Sequence, residues 1–189
     1  KKRDKFLMLE NKKIQEIITH IHKNELSVKE VVQYYLDRIK KINPSLNAII
    51  LQKDEKKIIS EAEEKDKSKD KSKSLFGLPI AVKDLSDVVG IETTYGFPGY
   101  KNNYPKQNSF FVDLLIKNGA IIIGKTNSAE LGVGGHTINR LFGPTSNVYD
   151  LNKSAAGSSG GASTAVAAGL LPFADGTDQM GSCRGPAAY

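Results

Sequence analysis

Long apolar runs and paired cysteines are both absent from this sequence of 189 residues. Its longest apolar stretches, such as Ala120–Gly124 and Ala165–Phe173, fall far short of the roughly 20 residues that a membrane-spanning helix needs. The single cysteine, Cys183, excludes an internal disulfide and fits a reducing compartment. The first residues, KKRDKFLMLENKK, lack the apolar core and small-residue site of a signal peptide. We therefore expect a soluble, cytoplasmic protein without a membrane partner.

An excess of one charge sign is confined to the N-terminal part of the chain. Residues 1–74 hold 19 Lys/Arg against 13 Asp/Glu, whereas residues 75–189 hold 8 of each. The lysines alternate with acids, as in EAEEKDKSKDKSKS, without clustered arginine or interleaved aromatic residues. Such a run is typical of a solvated helix end and loop, so nucleic acid is not expected as a partner.

Residues 1–74 have the pattern of a helical region. Isoleucines at positions 14, 17, 18 and 21 recur at helical spacing and predict a first helix. Ser27 and Glu30 predict the capping box of a second helix, which the Asn43-Pro44 pair is expected to end. Two further elements are predicted here, a strand at 46–51 and a helix at 54–64.

From Leu75 onwards, short strands and helices alternate. This alternation predicts an α/β sheet with helices on its faces, where ligands bind at loops that follow the strands. The N-terminal helices are expected to pack around that sheet. The predicted elements are strands at 78–82, 120–123 and 172–176, helices at 109–118 and 162–170, and glycine-containing loops at 157–161 and 178–184.

Three residues in this second part suggest hydrolytic chemistry. Lys83 follows a buried strand in GLPIAVKD, and Ser158 and Ser182 lie in the glycine loops AGSSGGAS and DQMGSCRGP. The first loop also resembles a phosphate-binding loop, but the lysine of that pattern does not follow. A serine hydroxyl needs a base to become a nucleophile, and a lysine serves only when desolvation lowers its pKa. Histidines with no evident partner are interpreted as surface or structural: His20, His22 and His136.

The block Gly157–Ala187 closely resembles the signature of the amidase signature family. GLPIAVKD and GAIIIGKTNSAELG resemble two upstream landmarks of that family, and the spacing of 75 residues from Lys83 to Ser158 and 24 from Ser158 to Ser182 is consistent with it. The resemblance implies a mixed β-sheet core flanked by helices. It also implies hydrolysis of carboxamides without a metal or a cofactor.

Particular roles follow from the resemblance alone. Ser182 would attack the amide carbonyl, Ser158 would relay the proton, and Lys83 would be the base. The Gly157–Ser158 peptide bond would be cis. The resemblance implies an oxyanion hole formed by the backbone N–H groups of Gln179, Met180, Gly181 and Ser182. It implies supporting hydrogen bonds from Ser159, Asp178 and Arg184.

The chain departs from the family pattern at several positions. Met180 places a Cβ where the loop is expected to want glycine-like dihedral angles. Cys183 replaces an aliphatic residue and is expected to behave as a small hydrophobic group in the core. Ala156 stands where glycine is common. Gly185 stands where the glutaminase subunits of tRNA-dependent amidotransferases tend to have glutamine.

These observations favour an amidase that acts on a linear or aryl carboxamide through an acyl-serine. Two alternatives stay open: the glutaminase subunit of a tRNA-dependent amidotransferase, and an inactive amidase-like binding protein. Family members continue well beyond the point, seven residues after Ser182, where this sequence stops. We therefore expect residues 75–189 to be the first part of a single core domain, truncated after the nucleophile loop and inactive in isolation. A small amide is the expected partner, and a homodimer is left open.

Overall fold

The computed structural model describes residue 9 and residues 12–189. These residues form both helices and short strands. The helices are α1 (Ile14–His22), α2 (Val28–Leu46), α3 (Glu55–Asp66), α4 (Phe110–Lys117), α5 (Gly160–Ala167) and α6 (Arg184–Ala188). The strands are β1 (Ile49–Gln52), β2 (Pro79–Lys83), β3 (Ile121–Thr126), β4 (Ile138–Asn139) and β5 (Gly143–Pro144). Single turns of 3₁₀-helix lie at Pro98–Tyr100 and Glu130–Gly132.

A mixed sheet with the strand order β1-β3-β2 lies at the centre of the fold. β3 pairs parallel with β2 and antiparallel with β1. Every residue of β2 and β3 is buried, as expected for strands with helices on both sides. The α/β architecture with a mixed sheet is thus confirmed. β3 runs three residues further than predicted and ends at Thr126.

The capping box predicted for α2 is present. The hydroxyl of Ser27 accepts the N–H of Glu30 at 3.0 Å, and the Glu30 carboxylate accepts the N–H of Ser27 at 2.9 Å. Both contacts satisfy N–H groups that the first helical turn leaves free. The predicted start of this helix is therefore confirmed.

The predicted end of α2 at Asn43-Pro44 is wrong. The helix continues to Leu46 with Pro44 inside its last turn. The carbonyl of Asn43 accepts the N–H of Asn47 at 2.8 Å, which closes one more turn. Asn47 then takes a left-handed conformation (φ 53°) and ends the helix. The strand predicted from residue 46 consequently begins later, at Ile49.

Helix α5 begins two residues earlier than predicted and ends three residues earlier. Its first two residues, Gly160 and Gly161, were expected in the loop. A Cβ on Gly161 would lie 2.4 Å from the backbone N and O of Asn127, just after β3. A Cβ on Gly160 would lie 2.4 Å from the hydroxyl of Thr137. The glycines let the start of α5 approach the end of β3 closely.

The segment 172–176, predicted to be a strand, forms no regular structure. It passes the end of β2, where a ladder contact from its backbone would be expected. The Asp175 side chain instead accepts the N–H of Lys83 at 2.6 Å. A carboxylate thus takes the place of a strand backbone at this point.

Buried apolar residues of the described chain form two clusters, one on each face of the sheet. Successive strand residues alternate between them, as strand geometry requires. The larger cluster joins residues of 1–74 and 75–189, including Val31, Ile58, Ala81, Ile123 and Ala165. The smaller cluster contains Ile80, Val82, Val88, Ile91, Val112, Leu115, Ala120 and Ile122. Among the described residues, no helix combines the length and apolar character needed to cross a bilayer.

Candidate active site

Lys83, the last residue of β2, has a fully buried side chain. Its Nζ lies 2.8 Å from the hydroxyl oxygens of Ser158, Ser159 and Thr177. The strand places the amine at the point where the two glycine-containing loops meet. The structure therefore brings together Lys83, Ser158 and Ser159, three residues that the sequence singled out.

Burial lowers the pKa of Lys83 to about 8. Desolvation disfavours the ammonium form, while Cys183, Asp175 and Asp178 favour it and offset part of the shift. A substantial fraction of Lys83 is therefore neutral slightly above neutral pH. A neutral amine carries a lone pair and can accept a proton.

Ser158 lies in a closely packed turn before α5. Its side chain is 1% exposed, and its carbonyl accepts the N–H of Ala129 at 3.2 Å. The Gly157–Ser158 peptide bond is cis, as expected. A Cβ on Gly157 would lie 2.6–2.9 Å from backbone atoms of His136. Only glycine fits this position without a shift of the neighbouring backbone.

Ser182 lies beside this turn but is not joined to it by its side chain. Its carbonyl accepts the N–H of Ser159 at 3.2 Å. Within the described residues, the Ser182 hydroxyl makes no hydrogen bond, so the expected direct link to the Ser158 hydroxyl is not formed. The contacts that hold Ser182 are main-chain contacts, and they leave the orientation of its hydroxyl open.

Asp178 organises the loop that carries Ser182. Its carboxylate accepts the N–H groups of Gly181 at 2.7 Å, Cys183 at 3.1 Å and Arg184 at 3.2 Å. The Arg184 guanidinium donates to both carboxylate oxygens at 2.9 Å. The Arg184 guanidinium and these N–H groups hold the pKa of Asp178 well below its usual range. The carboxylate is therefore charged at any ordinary pH.

The four N–H groups assigned to an oxyanion hole differ in their contacts. The N–H of Gly181 is engaged by Asp178 and is not free in this conformation. Those of Gln179, Met180 and Ser182 have no acceptor within the described part of the chain. The left-handed position of the loop is Gly181 (φ 99°) and not Met180, so the Met180 Cβ does not meet the conflict expected from its sequence position.

Cys183 is half-buried rather than part of the core. Its Sγ lies 4.0 Å from the Ser159 hydroxyl. The expectation of a core position is wrong: Cys183 directly precedes the short helix α6 and belongs to neither buried apolar cluster of the described residues.

The histidines lie in other contacts. His20 pairs with Glu25 at 2.5 Å, and His22 contacts the carbonyl of Lys71 at 2.7 Å. His136 contacts the Ser154 hydroxyl at 2.8 Å. Across the described ranges, no histidine side chain is bonded to Lys83, Ser158 or Ser182, so none is placed to act as their base.

Two residues of the site escaped prediction. Thr177 contacts the Lys83 amine, and Asp175 binds the Lys83 backbone. The position of Thr177 next to Asp178 in the glycine loop was a usable signal. Asp175 gave none, because its segment was interpreted as a strand.

A buried ion pair lies behind Lys83. Asp84 and Lys125 are both fully buried, with 3.4 Å between Oδ1 and Nζ. Lys125 also donates to the hydroxyl of Thr93 at 2.9 Å and to the carbonyl of Ser86, while Asp84 accepts the hydroxyl of Thr94. The pair ties the end of β2 to β3. Within the described residues, no group of three or more His, Cys, Asp or Glu could hold a metal ion.

Comparison with known proteins identifies the family. The sequence model of the Amidase family matches residues 30–189. The chain belongs to the amidase signature family. An acylamidase of Rhodococcus erythropolis is 41% identical over 176 residues, which cover 92% of this chain and 37% of that amidase. A glutamyl-tRNA(Gln) amidotransferase component of Coxiella burnetii (strain Dugway 5J108-111) is 40% identical over 181 residues, 95% of this chain and 38% of that protein.

Solved structures of the same family share the fold. A bacterial aryl acylamidase of the amidase signature family superposes with a TM-score of 0.86 at 30% identity, over 96% of this chain and 38% of that structure. An amidase family protein of Bacillus anthracis str. Ames gives a TM-score of 0.89 at 28% identity, over 99% of this chain and 39% of that one. The chain thus spans between a third and two fifths of the length of these amidase relatives.

Proposed function

We propose that the protein is an amidase that hydrolyses a carboxamide C–N bond to a carboxylate and an amine or ammonia. The observation that carries this proposal is the buried amine of Lys83, with its pKa lowered to about 8 and the Ser158 hydroxyl 2.8 Å away. A base with a pKa near the working pH is the most effective general catalyst. Family membership supports the same reaction class.

In the proposed acylation, Ser182 forms a bond to the amide carbonyl carbon. The Ser182 proton passes to Ser158, and the Ser158 proton passes to neutral Lys83. The tetrahedral intermediate then collapses as the C–N bond breaks, and the same hydroxyl path returns a proton to the leaving nitrogen. Water repeats the attack on the acyl-serine, releasing the carboxylate and restoring Ser182.

The link from Ser158 to Ser182 requires the Ser182 hydroxyl to turn towards Ser158. The main-chain contact from Ser159 to Ser182 holds the two segments side by side, which supports this step. Catalytic hydrogen bonds are often long or misaligned without substrate and tighten when it binds.

Negative charge develops on the carbonyl oxygen during attack. The N–H groups of Gln179, Met180 and Ser182 are the donors proposed to stabilise it. Gly181 would join them only if Asp178 released its N–H. Asp178 and Arg184 do not contact the reacting atoms in this proposal; their hydrogen bonds hold the conformation of the loop that carries these donors.

The proposed substrates are linear or aryl amides. The similarity to an acylamidase and to an aryl acylamidase structure supports that choice. The rival substrate is glutamine, because the chain is also 40% identical to a component of a glutamyl-tRNA(Gln) amidotransferase. Turnover of glutamine alone, together with a co-purifying partner protein, would favour the rival.

Ser182→Ala tests the proposal directly. In the full-length protein, including any sequence that flanks residues 1–189, this variant is expected to lose acyl-enzyme formation and labelling by a fluorophosphonate probe, because the attacking oxygen is gone. Intact-protein mass spectrometry measures both. The matched control is Ser45→Ala, which removes an exposed hydroxyl from the end of α2 and should leave labelling unchanged. Persistent turnover in Ser182→Ala would refute the acyl-serine. A parent protein that takes no label would favour an inactive binding protein.

A further inference from the structure

Asp175 contacts the base at its main chain rather than at its amine. β2 lies at an edge of the sheet, and neighbouring N–H groups of a strand point to opposite sides. The N–H of Asp84 donates to Thr126 of β3 at 3.1 Å. Within the described residues, no strand pairs with the outer side of β2, and the N–H of Lys83 donates to Asp175 Oδ1 at 2.6 Å.

The segment that carries Asp175 contacts Lys83 at two places. Asp175 holds the backbone, and Thr177, two residues later, contacts the amine at 2.8 Å. The same segment leads into the loop of Ser182. A single stretch of chain therefore fixes the base relative to the serine that it is proposed to activate.

The charges of two lysines act on the Asp175 carboxylate. Burial raises its pKa, and the hydrogen bond from Lys83 together with the charges of Lys125 and Lys83 act in the opposite direction. On the other side of the contact, the negative charges of Asp175 and Asp178 act on Lys83 and favour its ammonium form. Lys125 is itself paired with Asp84. Asp175 thus acts electrostatically on two buried lysines and favours the ammonium form of each.

We propose that Asp175 is a positioning residue for the base, holding the Lys83 backbone at the end of β2 while its negative charge stabilises the protonated amine. This inference rests on the proposed function, in which Lys83 is the base. The hydrogen bond fixes where the amine lies. The charge decides how readily the amine gives up its proton between turnovers.

The two roles separate in two variants. Asp175→Asn keeps an oxygen that accepts the Lys83 N–H but removes the charge. Asp175→Ala removes both. The matched control is Asp54→Asn, since the Asp54 carboxylate also accepts a backbone N–H, from Lys57 at 3.0 Å, at the start of α3 and away from the site.

The experiment measures kcat and KM against pH in the full-length protein, with an activated anilide as substrate. In Asp175→Asn, the rising limb of the plot of kcat/KM against pH should move to lower pH by about one unit, as expected when an opposite charge beside a titrating group is lost. The plateau of kcat/KM above this limb should change little. In Asp175→Ala, kcat should fall by about tenfold or more because the base is misplaced, with KM changed far less. Asp54→Asn should match the parent protein.

Lys83→Met, measured in parallel, separates this inference from the function beneath it. One outcome refutes the role of Asp175 and leaves the proposed function standing. In it, Lys83→Met abolishes the rising limb, but Asp175→Asn leaves the midpoint pH of that limb unchanged or moves it to higher pH. If Lys83→Met keeps the limb, Lys83 is not the base and both proposals fall.

Discussion

At the scale of single residues, the chemistry of Lys83 depends on how its amine is shared. A neutral amine has two N–H bonds and one lone pair, and three hydroxyl groups lie 2.8 Å from Nζ. If the lone pair is to accept the Ser158 proton, the two N–H bonds must go to Ser159 and Thr177. Those two hydroxyls therefore aim the lone pair at Ser158.

Thr177→Val tests this orientation. Removing one acceptor should lower kcat by about tenfold, the free-energy equivalent of one hydrogen bond, with KM nearly unchanged. Thr177→Ser, which keeps the hydroxyl, should restore kcat. Steady-state kinetics on the full-length protein measures both.

Thr164→Val is the control for exchanging a threonine hydroxyl for a methyl group near the site. Thr164 lies in α5 and bonds the carbonyl of Ser146 at 3.2 Å, without contact to Lys83. Full activity in Thr177→Val, or a Thr177→Ser variant as slow as the valine one, would contradict the orientation argument.

At the scale of elements, the approach of α5 to β3 places the serine turn. Gly161 lets the backbone of α5 lie against Asn127, which follows directly after the end of β3. Lys83 in β2 pairs with Thr126 in β3. The parallel pair of strands and the glycine start of α5 therefore bring Ser158 to Lys83.

Gly161→Ala is expected to destabilise the fold. The added Cβ would lie 2.4 Å from the backbone of Asn127 and 2.8 Å from the carbonyl of Ala48, so α5 must shift. Overpacking of this kind costs about 1–3 kcal/mol of the free energy of unfolding, which chemical denaturation measures. Gly135→Ala is the control, because its Cβ meets nothing within 4 Å. Equal stability of the two variants would contradict the close-packing account.

The same elements show what the sequence could predict. Ser27 and Glu30 fixed the start of α2, and the run LPIAV marked β2, because each is a local pattern with a local physical cause. The end of α2 was predicted wrongly because Asn43-Pro44 was taken as a stop, whereas Pro44 fits inside the last turn and the N–H of Asn47 still bonds the Asn43 carbonyl. Asp175 was missed for a different reason, since its partner, Lys83, lies 92 residues away in the chain.

The site residues were predicted by family resemblance more than by pattern. The resemblance selected Lys83, Ser158 and Ser159, which the fold brings together. It could not supply the orientation of the Ser182 hydroxyl, because that depends on contacts other than the motif itself. Their catalytic roles stay predictions.

At the scale of the whole molecule, the site is assembled from three distant parts of the chain. β2 supplies Lys83, the turn before α5 supplies Ser158, and the loop after it supplies Ser182. The buried pair of Asp84 and Lys125 ties the first of these parts to the centre of the sheet. Removing one partner of such a pair leaves an uncompensated buried charge. Because Asp84 directly follows Lys83, the pair stabilises the position of the base as well as the sheet.

Large apolar side chains are exposed on this chain, which spans 37% of the length of the acylamidase relative. Helix α4 buries Val112 and Leu115 but leaves Phe110 84% exposed. Met180, in the nucleophile loop, is 92% exposed. Activity therefore has to be measured in the full-length protein.

The central claim is that the neutral amine of Lys83 is the base. The most direct test is the pH profile of kcat/KM, which reports the free enzyme, for the parent protein, Lys83→Ala and the exposed control Lys117→Ala. Burial lowers the pKa of Lys83 to about 8, so kcat/KM of the parent and of the control should rise with pH through about 8 as the ammonium loses its proton. Lys83→Ala should lose about 10²–10⁴-fold in rate together with that limb, and recover partly at high pH as hydroxide replaces the base. A limb near pH 8 that survives in Lys83→Ala would contradict the account.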